Sequence, residues 1–284
     1  MKKKYYHGEA RKKVKKIDFP PEESMYRTAL VELLYQLADD DFILAYRGSE
    51  WLGLAPHIEE DVAFSSINQD MMGHAAMFYQ LLEDLGEGDV DDLSHSRKTN
   101  ERKNGVLLER VNGPGHYLGK HEFDWAYTVV RHYFYTQFKK VRMDSLKTSS
   151  YQPLADVAVK VRMEIYYHLL HWKTWFLQLM QSNSDSRGRM EKAVQRVWDD
   201  VDSLLCYGPN GDDIVKAGLI EAEDKLLQRW KYFLTPVFEA VHLSIPEELK
   251  PAAASGREGV HTKDLEEALA VLSEVYYMDT TASW

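Results

Sequence analysis

The sequence contains little cysteine, glycine or proline, and it has no long run of apolar residues. The single cysteine, Cys206, excludes a disulfide framework and cysteine-rich metal sites. Only 16 glycines and 9 prolines occur among 284 residues, which favours a helical protein because both residues disfavour helix interiors. No stretch reaches about 18 consecutive apolar residues, so we expect no membrane-spanning helix.

Charge is unevenly distributed along the chain. Residues 1–16 contain eight Lys or Arg and one Glu, a net charge of +7. Because the formal net charge of the whole chain is −10, the remaining residues carry −17. A body this acidic argues against nucleic-acid binding. The basic N-terminus lacks the apolar segment of a secretory signal, and together with the single cysteine this favours the cytoplasm. We predict a disordered tail over residues 1–23 and one helical domain over residues 24–284.

Apolar residues recur every three to four positions in four long stretches. This spacing predicts helices over residues 24–51, 58–85, 121–148 and 152–181. The helices of each pair are joined by a few residues, so each pair is expected to form an antiparallel hairpin. Residues 87–120, rich in glycine and charge, are an unusually long connection. Two hairpins joined by one long crossover are the ferritin-like arrangement of a four-helix bundle.

The C-terminal third continues the helical pattern. Further helices are predicted over residues 188–205, 213–239 and 263–277, and residues 244–259, with two prolines, are predicted to be a linker. The predicted fold class is therefore all-α, a ferritin-like four-helix bundle with additional C-terminal helices.

A ligand pattern of ferritin-like proteins is present in outline but incomplete. Di-iron members place Glu-x-x-His on two helices and a lone Glu on each of the other two. Here His74 and His168 occupy such positions, but Met71 and Ile165 stand three residues before them. Asp70 and Glu164 are acids one residue out of place. One residue is a rotation of about 100° on a helix, so these acids need not face the histidines.

The first hairpin predicts where a carboxylate of the first helix would lie. If its turn centres near residue 55, Met71 lies opposite Asp39, because both arms rise equally per residue. His74 then lies about one turn further along. Asp39 and Asp40, in a run of three aspartates, are therefore candidate ligands.

The second hairpin offers no acid at the corresponding level. If its turn centres near residue 149, His168 lies opposite Val130, and the nearest polar residues are Arg131 and His132. Arg131 would repel a cation there. It could instead pair with Glu164 or an Asp and fill the core with an ion pair.

These considerations leave a candidate remnant of a metal site rather than a complete one. A di-iron centre needs about four carboxylates and two imidazoles. We favour a metal-free remnant, with no catalytic, cofactor-binding or metal-ligating residues in this chain, over a mononuclear or an intact site. The remnant-site candidates are Asp39, Asp40, Asp70, His74, Glu164 and His168.

A set of short motifs follows in a fixed order along the chain. They are Gly48-Ser49-Glu50-Trp51, Ala55-Pro56, Ile67 to Ala75, Asn112-Gly113, Val130-Arg131-His132-Tyr133-Phe134, Glu164 to Leu169, Gly188-Arg189-Met190 and Gly259-Val260-His261-Thr262. This ordered set resembles the phenylacetic acid degradation protein C family, the C component of the ring-1,2-phenylacetyl-CoA epoxidase. The similarity covers roughly residues 27–278.

The resemblance implies a ferritin-like fold and a structural role. In that family a paralogous catalytic subunit holds the di-iron centre and epoxidises the aromatic ring of phenylacetyl-CoA with oxygen. The C component stabilises that partner, and a small bridging subunit and a reductase complete the system. The resemblance thus implies no cofactor in this chain, a homodimer or hetero-oligomer, and a cytoplasmic complex without nucleic acid or membrane. The first hairpin and the 87–120 crossover are the expected interface regions.

The chain also departs from that family. Residue 74 is often Gln there, and residues 114–123 resemble an insertion. The alternatives that stay open are an autonomous ferritin-like metallo-oxygenase or ferroxidase with an unusual iron site, and a homodimeric binding module for an acyl-CoA.

Overall fold

The computed structural model describes residues 21–246 and 248–282. Most of the predicted N-terminal tail, residues 1–20, lies outside the described residues, and the first helix begins at Pro21. The α-helices in chain order are α1 (Pro21–Ser49), α2 (Ile58–Asp84), α3 (Val90–His95), α4 (Val106–Glu109), α5 (Trp125–Leu146), α6 (Gln152–Ser182), α7 (Ser184–Trp198), α8 (Asp202–Leu205), α9 (Gly211–Lys216), α10 (Glu223–Ala240), α11 (Lys263–Leu272) and α12 (Glu274–Met278).

Local sequence explains where the long helices begin. The His57 side chain accepts a hydrogen bond from the backbone N–H of Glu60 and caps α2, and three acidic residues in the first turn complement the positive end of the helix. Asp124 caps α5 by accepting from the N–H of Tyr127 at 3.1 Å. This cap places the start of α5 later than the predicted residue 121.

The four long helices form the predicted bundle. α1 pairs with α2 and α5 pairs with α6, and α2 and α6 lie side by side across the two hairpins. α7 and α10 cover α5, whereas α4 and α9 cover α1. As a result α1 and α5 are buried along most of their length, while α2 and α6 each keep one face in solvent. The all-α, ferritin-like prediction is confirmed.

The 87–120 crossover is not an open loop. It contains α3, α4 and a 3₁₀ turn over Thr99–Glu101, and it packs against α1. Its buried polar and charged side chains include Arg102, Asn104, Glu109 and Asn112. The crossover is therefore part of the core of this domain.

The C-terminal helices are shorter than predicted. The helix predicted over 188–205 is two helices, α7 and α8. The one predicted over 213–239 is split into α9 and α10, because Gly218 adopts a left-handed backbone conformation (φ 69°) that ends α9. Ser273 separates α11 from α12 within the stretch predicted as one helix. Across the described residues, no helix combines the length and the apolar character needed to cross a membrane.

Candidate functional site

The centre of the bundle contains a continuous hydrogen-bonded chain of side chains from all four long helices. Lys139 of α5 donates through Nζ to Oδ2 of Asp41 in α1 at 2.6 Å and to Nδ1 of His74 in α2 at 2.8 Å. The Tyr135 hydroxyl donates to Oδ1 of Asp41 at 2.6 Å. Nε2 of His74 lies 2.6 Å from Oε2 of Glu164 in α6. We call these five residues the central polar chain.

The donors and acceptors of the central polar chain fix the protonation state and tautomer of His74. A lysine ammonium has only donors, so Nδ1 of His74 accepts, and Nε2 carries the hydrogen that is donated to Glu164. Burial, then repulsion from Lys139 and from His168, hold the pKa of His74 well below its ordinary value. The imidazole is therefore neutral at physiological pH, and its ring is oriented from both sides.

Asp41 and Lys139 form a buried ion pair in which each charge depends on the other. Burial raises the pKa of Asp41, and the Lys139 ammonium opposes this rise. Burial lowers the pKa of Lys139, and the Asp41 carboxylate opposes this fall. Side-chain exposure is 1% for Asp41 and 5% for Lys139, so water does not solvate either charge.

A second histidine lies beside the central polar chain. His168 of α6 is 2.9 Å through Nε2 from Oδ2 of Asp70 in α2, and its ring centroid is 6.0 Å from that of His74. Burial lowers the pKa of His168, and the hydrogen bond with Asp70 opposes this shift. Burial and then repulsion from Asp70 raise the pKa of Glu164. Four of the predicted candidates, Asp70, His74, Glu164 and His168, are thus brought together.

Asp39 does not reach the histidines. It accepts from the hydroxyl of Tyr79 at 2.6 Å and from the N–H of Lys103 at 2.8 Å, and it pairs with Arg97 and Arg102 of the crossover. The predicted pairing of Asp39 with the level of Met71 is therefore wrong. The partner of Asp39 on α2 is Tyr79, two turns beyond Met71, whose long side chain reaches back to the carboxylate.

Asp40 also points elsewhere. Its carboxylate pairs with Arg142 at 2.6 Å and with Arg257 at 2.8 Å, and it accepts from the N–H of Gly105 at 2.8 Å. Neighbouring residues on a helix are rotated by about 100°, so the side chains of three consecutive aspartates point to three different regions of the interior. Only Asp41, which the prediction did not select, joins the histidine pair.

Arg131 does not pair with Glu164. Its guanidinium donates to the carbonyl of Arg110 at 2.5 Å and to Oδ1 of Asn112, so that part of the sequence prediction is wrong. The expected ion pair within the core exists, but Lys139 supplies its cation. Lys139 lies about two turns beyond the segment that was predicted to face His168.

The donor set does not fit a dinuclear metal centre. The candidate ligands are three carboxylates and two imidazoles: Asp41, Asp70, Glu164, His74 and His168. The usual set has about four carboxylates with two imidazoles. Within the part of the chain that the structure describes, no group of three or more His, Cys, Asp or Glu side chains is arranged to hold a metal ion.

The space that a cation would need is also filled. The Lys139 ammonium lies between Asp41 and His74 and is hydrogen-bonded to both. The other oxygen of Asp41 is taken by Tyr135. At the two positions where the motif needs glutamates, Met71 and Ile165 are buried apolar side chains. The arrangement therefore supplies its own positive charge at the centre of the bundle.

Several residues of the sequence motifs meet at a second buried cluster. Asn112 donates through Nδ2 to the carbonyl of Arg47 at 2.7 Å and to Oε2 of Glu50 at 2.8 Å. Arg47 in turn pairs with Glu50 at 2.9 Å, and the indole N–H of Trp51 donates to Thr128 at 3.1 Å. These contacts attach the end of the crossover to α1 and α5.

The C-terminal motif is attached in the same way. The carboxylate of Glu109 accepts from the N–H of Thr262 at 2.6 Å and lies 2.7 Å from Nδ1 of His261. All of these groups are buried or half-buried. The motifs therefore hold the crossover and the C-terminal segment against the bundle, which is a structural role.

A surface cleft of about 630 Å³ lies between the start of α5 and the start of α7. Its lining includes Phe123, Trp125, Arg189 and Lys192, and it contains no residue of the central polar chain. The cleft is thus remote from the histidine pair.

The fold and its four-helix polar centre define a ferritin-like protein. A solved structure, protein 19 with aldehyde deformylating oxidase activity from Synechococcus, has the same fold with a TM-score of 0.52 and 16% identity, covering 78% of this chain and 93% of that one.

The chain belongs to the phenylacetic acid catabolic protein family, whose profile matches residues 16–284. It is similar to the C component of the 1,2-phenylacetyl-CoA epoxidase of Escherichia coli K12, with 27% identity over 236 residues, 83% of this chain and 91% of that protein. The resemblance seen in the sequence motifs is confirmed.

Proposed function

We propose that this chain is a non-catalytic, structural subunit of a multicomponent epoxidase. The complex acts on phenylacetyl-CoA or a related aromatic acyl-CoA in phenylacetate catabolism, in the cytoplasm. In this proposal the di-iron cofactor belongs to a paralogous catalytic subunit, which this chain stabilises. Membership of the phenylacetic acid catabolic family and the similarity to the C component of an epoxidase support the assignment to such a complex.

The position of Lys139 carries the non-catalytic part of the proposal. Its ammonium is bonded to Asp41 and His74 at the level where ferritin-like oxygenases hold metal. Binding a cation there would require Lys139 to leave a pocket in which it neutralises a buried carboxylate. Losing one partner of such a pair typically costs about 3–5 kcal/mol, so the native arrangement opposes metal binding.

A supporting subunit must also present a rigid body to its partner. Buried ion pairs of Asp39 and Asp40 attach the crossover and the C-terminal segment to α1. Glu109 adds a second attachment through Thr262. These contacts support a role in which the bundle holds the partner in one conformation.

Metal stoichiometry tests the proposal most directly. After anaerobic loading with Fe(II) and desalting, the isolated chain is expected to retain well below one iron per chain by inductively coupled plasma mass spectrometry. The variant Lys139→Glu, which exchanges the ammonium for a carboxylate, is the comparison and should retain more iron. About two irons per wild-type chain would overturn the proposal and favour the autonomous metallo-oxygenase or ferroxidase.

Activity of the assembled complex gives an independent test. The chain is co-expressed with the paralogous family member of its source organism, and phenylacetyl-CoA turnover is normalised to the amount of complex on size exclusion. The double replacement His74→Gln and His168→Gln should leave turnover per complex nearly unchanged. Loss of turnover in a correctly assembled complex would show that these histidines serve catalysis.

A further inference from the structure

The outer face of α6 carries a row of large apolar side chains that the rest of the described chain leaves uncovered. Their spacing of three to four residues places them on one side of the helix, and each is between 48% and 70% exposed. They are Val159, Met163, Tyr166, Tyr167 and Leu170. A row of this kind differs from the scattered apolar side chains of an ordinary soluble surface.

The neighbouring helix extends this surface. Ile58 and Val62 of α2 are 71% and 66% exposed, and α2 packs beside α6. Hydrogen bonds between side chains of the two helices, such as that between Glu60 and His171 at 3.0 Å, hold them in an antiparallel arrangement. We define the α2/α6 face as these seven apolar residues together with Asp70 and Glu164.

Asp70 and Glu164 give the α2/α6 face a fixed charge pattern. Their side chains are 41% and 50% exposed. Each carboxylate is held by a buried imidazole, His168 for Asp70 and His74 for Glu164. Among the described residues, no lysine or arginine forms an ion pair with either. The two carboxylates therefore lie beside the apolar row, each oriented by a histidine.

We propose that the α2/α6 face is the docking surface for the catalytic paralogue, a statement that rests on the function proposed above. The partner would present apolar and aromatic side chains to α6 and at least one arginine or lysine to Asp70 and Glu164. Arginine suits this position because its fork of donors matches a carboxylate.

The α2/α6 face is large enough to be the centre of an interface. Its row on α6 runs from Val159 to Leu170, about 18 Å of helix at ~1.5 Å per residue, and two helices ~10 Å apart present roughly 400 Å² over that length. A standard interface buries about 800 Å² on each partner. We therefore expect the partner to contact the surroundings of the face as well.

The charges argue against a second copy of this chain as the occupant. An interface between identical subunits related by a two-fold axis places the same patch on both sides. Asp70 and Glu164 of both copies, four carboxylates, would then lie in one interface that excludes water, and the face as defined contains no cation to pair with them. A partner with cations opposite them avoids this cost.

Of the interface regions expected from the sequence, the first hairpin contributes α2. α1 is buried by α4 and α9, whereas α2 keeps one face in solvent beside α6. The 87–120 crossover stays a prediction as a further interface region.

Two substitutions with matched controls test the surface. Tyr167→Ala and Met163→Asp alter the α2/α6 face, whereas Tyr232→Ala on α10 and Met278→Asp on α12 alter equally exposed residues elsewhere. Affinity for the paralogous subunit is measured by biolayer interferometry. We expect about a tenfold or greater loss for the first pair, as for aromatic residues that dominate interfaces, and little change for the controls.

The charge pattern has its own test. Glu164→Gln removes the charge but keeps an acceptor for His74, and Glu239→Gln on α10 is the control on another exposed helix surface. Glu164→Gln should speed dissociation and weaken the dependence of binding on salt, because it leaves the partner's cation in the interface without its counter-charge. Hydrogen exchange should also show α6 protected in the complex.

The outcomes separate this inference from the proposed function. If the wild-type chain does not bind the paralogue, the structural-subunit proposal fails, and the docking surface fails with it. If the wild type binds and the two α6 variants bind equally well, the docking surface is wrong while the proposed function stands. If the isolated chain dimerises and Met163→Asp abolishes the dimer, the face is a self-association surface and the inference is overturned. Circular dichroism of each variant confirms that it is folded.

Discussion

Replacing Lys139 by methionine is expected to lower the free energy of unfolding by about 3–5 kcal/mol at pH 7. Methionine keeps much of the length of the side chain but removes the ammonium. Asp41 would then be a buried carboxylate, 1% exposed, with Tyr135 as its remaining hydrogen-bond donor. Nδ1 of His74 would also lose its donor.

The loss should depend on pH in a defined direction. Burial already raises the pKa of Asp41 while Lys139 opposes the rise, so the variant raises that pKa further. A carboxyl with a raised folded-state pKa stabilises the fold below its unfolded pKa and loses this contribution as pH rises through the folded value, by up to about 1.4 kcal/mol per pH unit. The deficit of the variant relative to wild type is therefore smaller at pH 5 than at pH 7.

The assay is guanidinium unfolding followed by circular dichroism at both pH values, with Lys140→Met as the control. Lys140 is the next residue of α5, but its ammonium pairs with Asp144 at the surface at 3.2 Å and lies over the ring of Phe233. A partly exposed pair of this kind is worth about 1 kcal/mol or less.

A double variant distinguishes a lost ion pair from a packing defect. Adding Asp41→Asn to Lys139→Met removes the lone charge and should recover most of the lost stability. A loss below about 1 kcal/mol for Lys139→Met, or an additive loss in the double variant, would refute the reasoning that Lys139 and Asp41 neutralise each other.

Four further predictions concern other positions in the chain. Burial holds the pKa of His132 well below its ordinary value, so only the unfolded chain gains a proton at this residue as pH falls. His132→Phe should therefore reduce the loss of stability between pH 6.5 and 5 by about 1.5 kcal/mol. An unchanged pH profile in urea unfolding would contradict this. Gly259→Ala should cost about 1–3 kcal/mol, since φ is 77° and the new Cβ would lie 2.3 Å from a carbonyl oxygen. In the same denaturation series Gly188→Ala, inside α7 with open space around it, should stabilise by about 0.5–1 kcal/mol. Arg257→Met should speed limited proteolysis within residues 248–262, because it removes the pairing with Asp40 that attaches this segment; wild-type resistance would show that other contacts suffice.

The bundle itself could be predicted because its signal is local. An apolar residue every three to four positions specifies a helix and its buried side without knowledge of the rest of the chain. The bounds of α2 and α6 were predicted to within one residue at each end. The long connection between the hairpins and the motifs around Glu50 and His168 were sufficient to indicate the ferritin-like fold and the family.

The centre of the bundle could not be predicted in the same way, because it depends on which side chains lie level across helices. Counting residues from a turn gives the height of a side chain along the bundle, but not the direction in which it points or how far it reaches. Asp39 and Asp40 were therefore selected where Asp41 takes part, and Arg131 was considered where Lys139 supplies the cation. The sequence did contain a signal for Lys139: it follows Tyr135 by four residues and so lies on the same side of a helix rich in aromatic residues.

By itself the sequence determined the helices, the family resemblance and the absence of a regular Glu-x-x-His pair, since each is a matter of residue type and local spacing. Only the tertiary structure decided that the crossover is part of the core, that an ammonium stands between Asp41 and His74, and that α2 and α6 keep an apolar face in solvent. The physical reason is that burial and ion pairing arise between residues far apart in the chain. Their geometry is set by how the helices pack, which no local pattern records.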